Sequence, residues 1–150
     1  MRARANDPND PLKRRAEREG LKMVRRPLVP STRRAHEAAE HARAHGKLAP
    51  MHAALLRRYW SEGEDLYAMA TLRAAAQDAG LDSDELERSI ATGAFRGAVE
   101  ASVREADALG IHAVPTFVLD DRLAVQGAQE LPVFREAMKR LGVAARARNE

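Results

Sequence analysis

The sequence predicts a single small domain of the α/β class that is mostly α. Three observations carry this. Long segments rich in Ala, Arg and Glu, punctuated by Gly, favour helix. The hydrophobic fraction is 45% but aromatics are only 4%, so the core has to be built mainly from Ala, Leu and Val. Near the C-terminus alone, two short β-branched or apolar runs flank an acidic turn: Thr116-Phe117-Val118-Leu119, then Asp120-Asp121, then Leu123-Ala124-Val125. A length of 150 residues suits one compact domain, or one domain with an appendage.

Residues 1–11 hold Asn6, Asp7, Pro8, Asn9 and Asp10 with almost nothing apolar, and a disordered N-terminus is expected there. Pro11 to Glu19 can form a short basic helix, with Asp10 as N-cap, Pro11 at the first position and Gly20 as the stop. Leu21 to Val24 is a short extended apolar run. Pro27 and Pro30 then favour an extended linker.

Ser31 begins the next expected helix, in which Ala35, Ala38, Ala39 and Ala42 recur at helical spacing before Gly46. A helix after Pro50 has Leu55, Leu56, Tyr59 and Trp60 as its bulky face and breaks at Ser61-Glu62-Gly63. Another, starting near Asp65, turns Leu66, Met69, Leu72 and Ala76 inward and stops at Gly80. Leu81-Asp82-Ser83-Asp84-Glu85 carries the chemistry of a capping box, with Asp82 or Ser83 as the cap and acids in the first turn of a helix holding Leu86 and Ile90. Phe95, Ala98, Val99, Ser102, Val103 and Ala106 line a further helix ending at Gly110. After the hairpin, Leu131 to Leu141 forms the last helix, with Val133, Phe134, Ala137, Met138 and Leu141 on its buried side. Residues 142–150 are expected to fray.

Net charge is +3 and unevenly spread. Residues 1–50 carry 13 Lys/Arg against 6 Asp/Glu (+7), and residues 51–150 carry 12 against 16 (−4). No aromatics interleave the basic residues and no groove-binding motif is present, so a solvated helical face is expected rather than a nucleic-acid surface. No segment approaches the apolar length of a membrane span, and the charged start MRARANDPNDPLKRR has no apolar run, so a cytoplasmic protein without membrane contact is the expectation. With no cysteine, the chain itself has no disulfide, no thiolate nucleophile and no cysteine-based zinc site.

Four stretches, Pro30 to His36, Tyr59 to Asp65, Ala79 to Asp82, and Gly110 to Phe117 with Gly127-Ala128-Gln129, together resemble the DsbA-like thioredoxin-fold family, and within it the cytoplasmic branch related to 2-hydroxychromene-2-carboxylate isomerases. Pro30-Ser31-Thr32-Arg33-Arg34-Ala35-His36 resembles the entry to that family's helical insertion. Tyr59-Trp60-Ser61-Glu62-Gly63-Glu64-Asp65 resembles its aromatic, acidic, glycine corner, and Ala79-Gly80-Leu81-Asp82 the following helix junction. Gly110-Ile111-His112-Ala113-Val114-Pro115-Thr116-Phe117 with Gly127-Ala128-Gln129 is the most specific part.

The resemblance implies an incomplete DsbA-like thioredoxin domain over residues 12–141, made of a helical insertion (31–110) and a hairpin plus helix (111–141). The family's opening strand, its Cys-x-x-Cys helix and the next strand have no counterpart before Pro27, so the chain is expected to be a truncated or split member. It also implies a cis Val114–Pro115 bond, with Val114, Pro115 and Thr116 offering backbone groups to a bound thiol or peptide. The implied function is that of a thiol–disulfide oxidoreductase-like protein, redox-inactive as this chain alone, with no catalytic residue and no cofactor. The alternatives are a non-catalytic module that self-associates through an open sheet edge and a remnant of a glutathione-binding isomerase. Partners are expected to be a second copy of the chain or a complementing N-terminal fragment.

No metal site is expected. Glu37, His41 and His45 lie at i, i+4 and i+8 on one helical face, but His36-Glu37-Ala38-Ala39-Glu40-His41 is one residue too long to be the H-E-x-x-H zinc motif. The histidines read as solvated helix residues. Ser31, Ser61, Ser83, Ser89 and Ser102 stand in no nucleophile-elbow pattern, and Ser31 and Ser83 read as helix caps. Tyr59 and Trp60 read as anchors of helix packing.

Overall fold

The computed structural model describes residues 10–25 and 29–143. The expectations for residues 1–9, for Pro27 and for residues 144–150 lie outside the described residues. The order of elements is α1 (Pro11–Arg18), α2 (Arg33–Ala44), α3 (Leu48–Trp60), α4 (Met69–Asp78), α5 (Ser83–Thr92), α6 (Arg96–Ala108), β1 (Thr116–Leu119), β2 (Leu123–Gln126) and α7 (Leu131–Arg140). The fold is therefore mostly α with one small sheet, as the composition predicts. The chain divides into two compact units, Met1–Ser102 and Val103–Glu150, and the division falls within α6.

In the first unit α2, α3, α4 and α5 pack together around Ala35, Ala38, Ala42, Met51, Ala54, Leu55, Leu72, Ala75, Ala76, Leu86 and Ile90. Small residues dominate α2 and α4, which lets the backbones approach closely, while Met51, Leu72 and Leu86 supply the large fully buried side chains. Leu66 is buried in the turn before α4. Tyr59 packs against this core and meets the Trp60 ring edge-on at 4.8 Å, in keeping with its expected anchoring role.

Several local expectations are corrected. Leu56 does not face the core: with Met51, Ala54 and Leu55 buried, the apolar stripe of α3 has turned past it, and it is 58% exposed. The cap of α2 is Thr32 rather than Ser31, and it makes no side-chain cap bond. In the capping segment Asp82 is the cap: its Oδ1 accepts from the Asp84 and Glu85 amides at 2.8 and 3.1 Å, and Ser83 is the first residue of α5. Helix α6 fully buries none of its residues: Val103 is exposed and Val99 and Ala106 are half-buried, while Phe95 lies just before the helix.

Asp10 caps α1, accepting from the Leu12 amide at 3.0 Å and from the Arg25 Nε at 2.7 Å, so the boundary drawn after residue 11 falls inside a capped helix. The run Leu21–Val24 has no regular secondary structure and, among the described residues, joins no strand. The Val24 amide donates to the Trp60 carbonyl at 2.6 Å, and its side chain presses on Gly63. A Cβ on Gly63 would meet Val24 Cγ1 at 2.8 Å, and its φ of +71° also disfavours a side chain.

In the second unit β1 and β2 form an antiparallel pair, and among the described residues the sheet has only these two strands. The register sets Phe117 against Val125 and Leu119 against Leu123 on one face, and Thr116 against Gln126 and Val118 against Ala124 on the other. Helix α7 covers the first face: Val125 and Ala137 are buried, and Phe117 meets Phe134 edge-on at 5.0 Å. Of the expected buried side of α7 only Ala137 is buried. Val133 and Met138 are exposed, because a two-stranded sheet is too narrow to cover more than one stripe of the helix.

Candidate functional site

The strand mouth at Val114-Pro115-Thr116 is held by two hydrogen-bond clamps, one from a side chain and one from the main chain. The Thr116 hydroxyl donates to the Ala113 carbonyl at 2.6 Å, closing a tight turn over the intervening residues. The Gly127 amide donates to the Pro115 carbonyl at 2.7 Å, tying the mouth to the end of β2. The Val114–Pro115 bond is cis. Between these clamps Val114 is 92% exposed. The structure thus brings the three sequence-named residues together at the start of β1, with Val114 open to solvent and the flanking backbone fixed.

Arg and acidic side chains elsewhere serve structure. Arg58 Nη1 donates to Glu64 at 2.9 Å, and both Arg57 and Arg58 reach Asp78, which pins the end of α3 to the end of α4. Arg73 binds Asp84 and Glu87, tying α4 to α5. These contacts hold the Asp78 carboxyl below its ordinary value, chiefly through the Arg58 hydrogen bond. The Asp82 carboxyl is held low by the two amides it caps.

The histidines of α2 depart from the solvated reading. His41 is 1% exposed and stands edge-on to the Phe95 ring at 5.7 Å, because its turn of α2 faces inward beside Ala38 and Ala42. Its Nε2 is buried and has no hydrogen-bond partner. Burial pushes its imidazole below the ordinary histidine range, the nearby His45 adds to this, and Glu85 and Asp82 oppose it. His45 stacks obliquely on His41 with ring centres 4.4 Å apart. Its Nδ1 donates to the His41 carbonyl at 2.8 Å, and its Nε2 lies 3.3 Å from Glu85 Oε1. A ring nitrogen of each histidine and a Glu85 carboxylate oxygen lie within 4.8 Å of one another. Glu37, which shares the helical face in sequence, is buried but stands outside this group. Glu85, from the first turn of α5, takes the third place. Only the packing of α2 on α5 reveals it, since 40 residues separate it from His45.

Among the described residues no helix is long and apolar enough to cross a membrane. The profile of the DSBA-like thioredoxin domain matches residues 2–139. A solved structure of a probable DsbA oxidoreductase from Streptomyces coelicolor is similar to this chain, with 31% identity and a TM-score of 0.78. The similarity covers 94% of this chain and 62% of that one, so the chain spans less than two thirds of that protein's length. No curated protein matches.

Proposed function

Because the chain belongs to the DSBA-like thioredoxin domain family, we propose that it is a thiol–disulfide oxidoreductase-like protein that supplies substrate contacts but no redox centre. The observation that carries this reading is the pairing of the open, clamped Val114–Thr116 mouth with a sequence that holds no cysteine. Disulfide exchange requires a thiolate to attack sulfur, and no side chain here supplies one. What the strand mouth offers is main-chain hydrogen bonding to an extended ligand, the mode in which a peptide adds alongside an exposed strand. Redox activity then belongs to an assembly in which another segment or chain brings the cysteines. A cytoplasmic setting, with thiol-bearing peptides as the ligand class, is part of the same proposal.

Two measurements test it. The purified chain neither reduces insulin disulfides nor oxidises a dithiol peptide above background. Amide shifts on adding an unstructured peptide with one reduced cysteine centre on Val114, Thr116 and Phe117. Protein-dependent turnover, or a peptide response confined to other residues, overturns the reading.

A second reading, a non-catalytic self-associating module, is favoured by one observation. Among the described residues of its unit no helix covers the sheet face bearing Thr116 and Val118, and Val118 is exposed. It differs from the first in needing no peptide ligand.

A further inference from the structure

We infer that His41, His45 and Glu85 form a binding site for a zinc-class divalent transition-metal ion that clips α2 to the start of α5. Three observations point to this ligand, and none depends on the strand mouth or on the redox reading.

The first is the donor set. Two imidazoles and one carboxylate, with ligating atoms within 4.8 Å of one another, are a combination that zinc takes in three-protein-ligand sites, leaving a fourth position for water. Metal–ligand bonds of roughly 2.0–2.2 Å place neighbouring donors of a tetrahedral ion about 3.3–3.5 Å apart. The His45 Nε2 to Glu85 Oε1 separation is 3.3 Å, already such an edge. The remaining edges are no longer than 4.8 Å, and the partly exposed Glu85 and His45 side chains are the ones that would close them.

The second is the tautomer of His45. A carbonyl oxygen only accepts, so the contact with the His41 carbonyl fixes the proton on Nδ1. That leaves the Nε2 lone pair of neutral His45 facing a carboxylate oxygen, two acceptors at hydrogen-bond distance. A metal ion between the two acceptors would satisfy both. A ligating histidine whose other ring N–H is held by a backbone carbonyl is the arrangement that orients imidazole toward a metal.

The third is His41 Nε2, fully buried with no partner. An unpaired polar atom in a packed core costs free energy, and an ion that takes its lone pair removes that cost. Glu37 Oε2 is likewise buried without a partner but stands outside the cluster; a metal ion here would give His41 a partner and join it to His45 and Glu85. The helix spacing serves the purpose too: His41 and His45 at i and i+4 stand on one face of α2, and Glu85 arrives from the neighbouring helix.

The test is calorimetric titration of Zn2+ into the full chain after chelator treatment, repeated with Co2+ to read the visible spectrum. His45→Ala and Glu85→Gln alter partly exposed side chains and should leave the fold intact, as circular dichroism verifies. His52→Ala and His112→Ala, at exposed positions outside the cluster, are the controls. The expected result is one ion per chain, a tetrahedral-type Co2+ spectrum, and affinity lowered at least about tenfold in His45→Ala and in Glu85→Gln but unchanged in the controls. Absence of Zn2+ binding overturns the site. So does binding that survives both cluster variants, that falls equally in the controls, or that takes one ion per two chains.

Discussion

Arg58 meets Asp78 through two of its nitrogens, with Nε at 3.2 Å and Nη2 at 2.8 Å from the same carboxylate oxygen. The same guanidinium holds both oxygens of Glu64. One largely buried arginine therefore joins the last turn of α3, the following corner and the last turn of α4. An isolated exposed ion pair contributes little, but a shared arginine is lost with all its partners at once.

Arg58→Ala should lower the melting temperature by several degrees, more than Arg57→Ala, whose side chain is half exposed. The pH signature is specific. The Asp78 carboxyl is held below its ordinary value of 3.8, so its contribution is complete above that pH and is lost as pH falls through the lowered folded value. In Arg58→Ala that part of the acid transition should become shallower. An unchanged slope of stability against pH below about 4 would falsify the coupling.

Leu72 is fully buried at the centre of the first unit, while Leu56 points outward. Leu72→Ala should cost about 2–5 kcal/mol by lost transfer energy and cavity formation. Leu56→Ala should change stability by no more than about 0.5 kcal/mol. Urea unfolding of the two variants measures the difference. Comparable losses would mean that the α3 stripe was assigned to the wrong face.

That pair also shows what the sequence made legible. Every helix and both strands were visible because Gly46, Gly80 and Gly110 stop helices and the Ala, Leu and Val spacing is regular. Facing was less secure, since in α3 adjacent leucines at 55 and 56 fit either stripe until α2 and α4 choose one. The strand mouth was legible because Val114, Pro115 and Thr116 are adjacent in the chain. The histidine cluster was half legible: the i, i+4 pair is local, but Glu85 replaces Glu37 only once α5 lies on α2. Burial of His41 likewise depends on Phe95, far along the chain.

The hairpin turn offers a gain in stability. Asp120 and Asp121 both have positive φ, 53° and 48°, and the Arg122 amide donates to the Leu119 carbonyl at 3.1 Å. Left-handed backbone costs an L-residue roughly 1–2 kcal/mol, reduced for Asp by its local hydrogen bonding. Asp121→Gly makes the Asp-Gly sequence such turns prefer, and part of the gain is offset by glycine's freedom in the unfolded chain. Slower amide exchange at Phe117 and Val125, which face each other across the ladder, is expected, by a few-fold. Asp121→Val, β-branched at the same φ, should speed exchange at those amides.

The exposed face of the hairpin sets the last prediction. Phe117 and Leu119 face α7, whereas Thr116 and Val118 face away from it, and Val118 is 50% exposed. Among the described residues β1 has β2 on one side and no strand on the other. Two strands alone are marginal, and an unpaired edge with β-branched side chains recruits another strand. We therefore expect the chain to associate at micromolar concentration through β1, which light scattering measures directly. Val118→Lys places a charge beside that edge without entering the α7 face, so it should shift the population to monomer while leaving the helical circular dichroism intact. A monodisperse wild-type monomer would overturn association through β1. Oligomers that persist unchanged in Val118→Lys would place the contact elsewhere on the molecule.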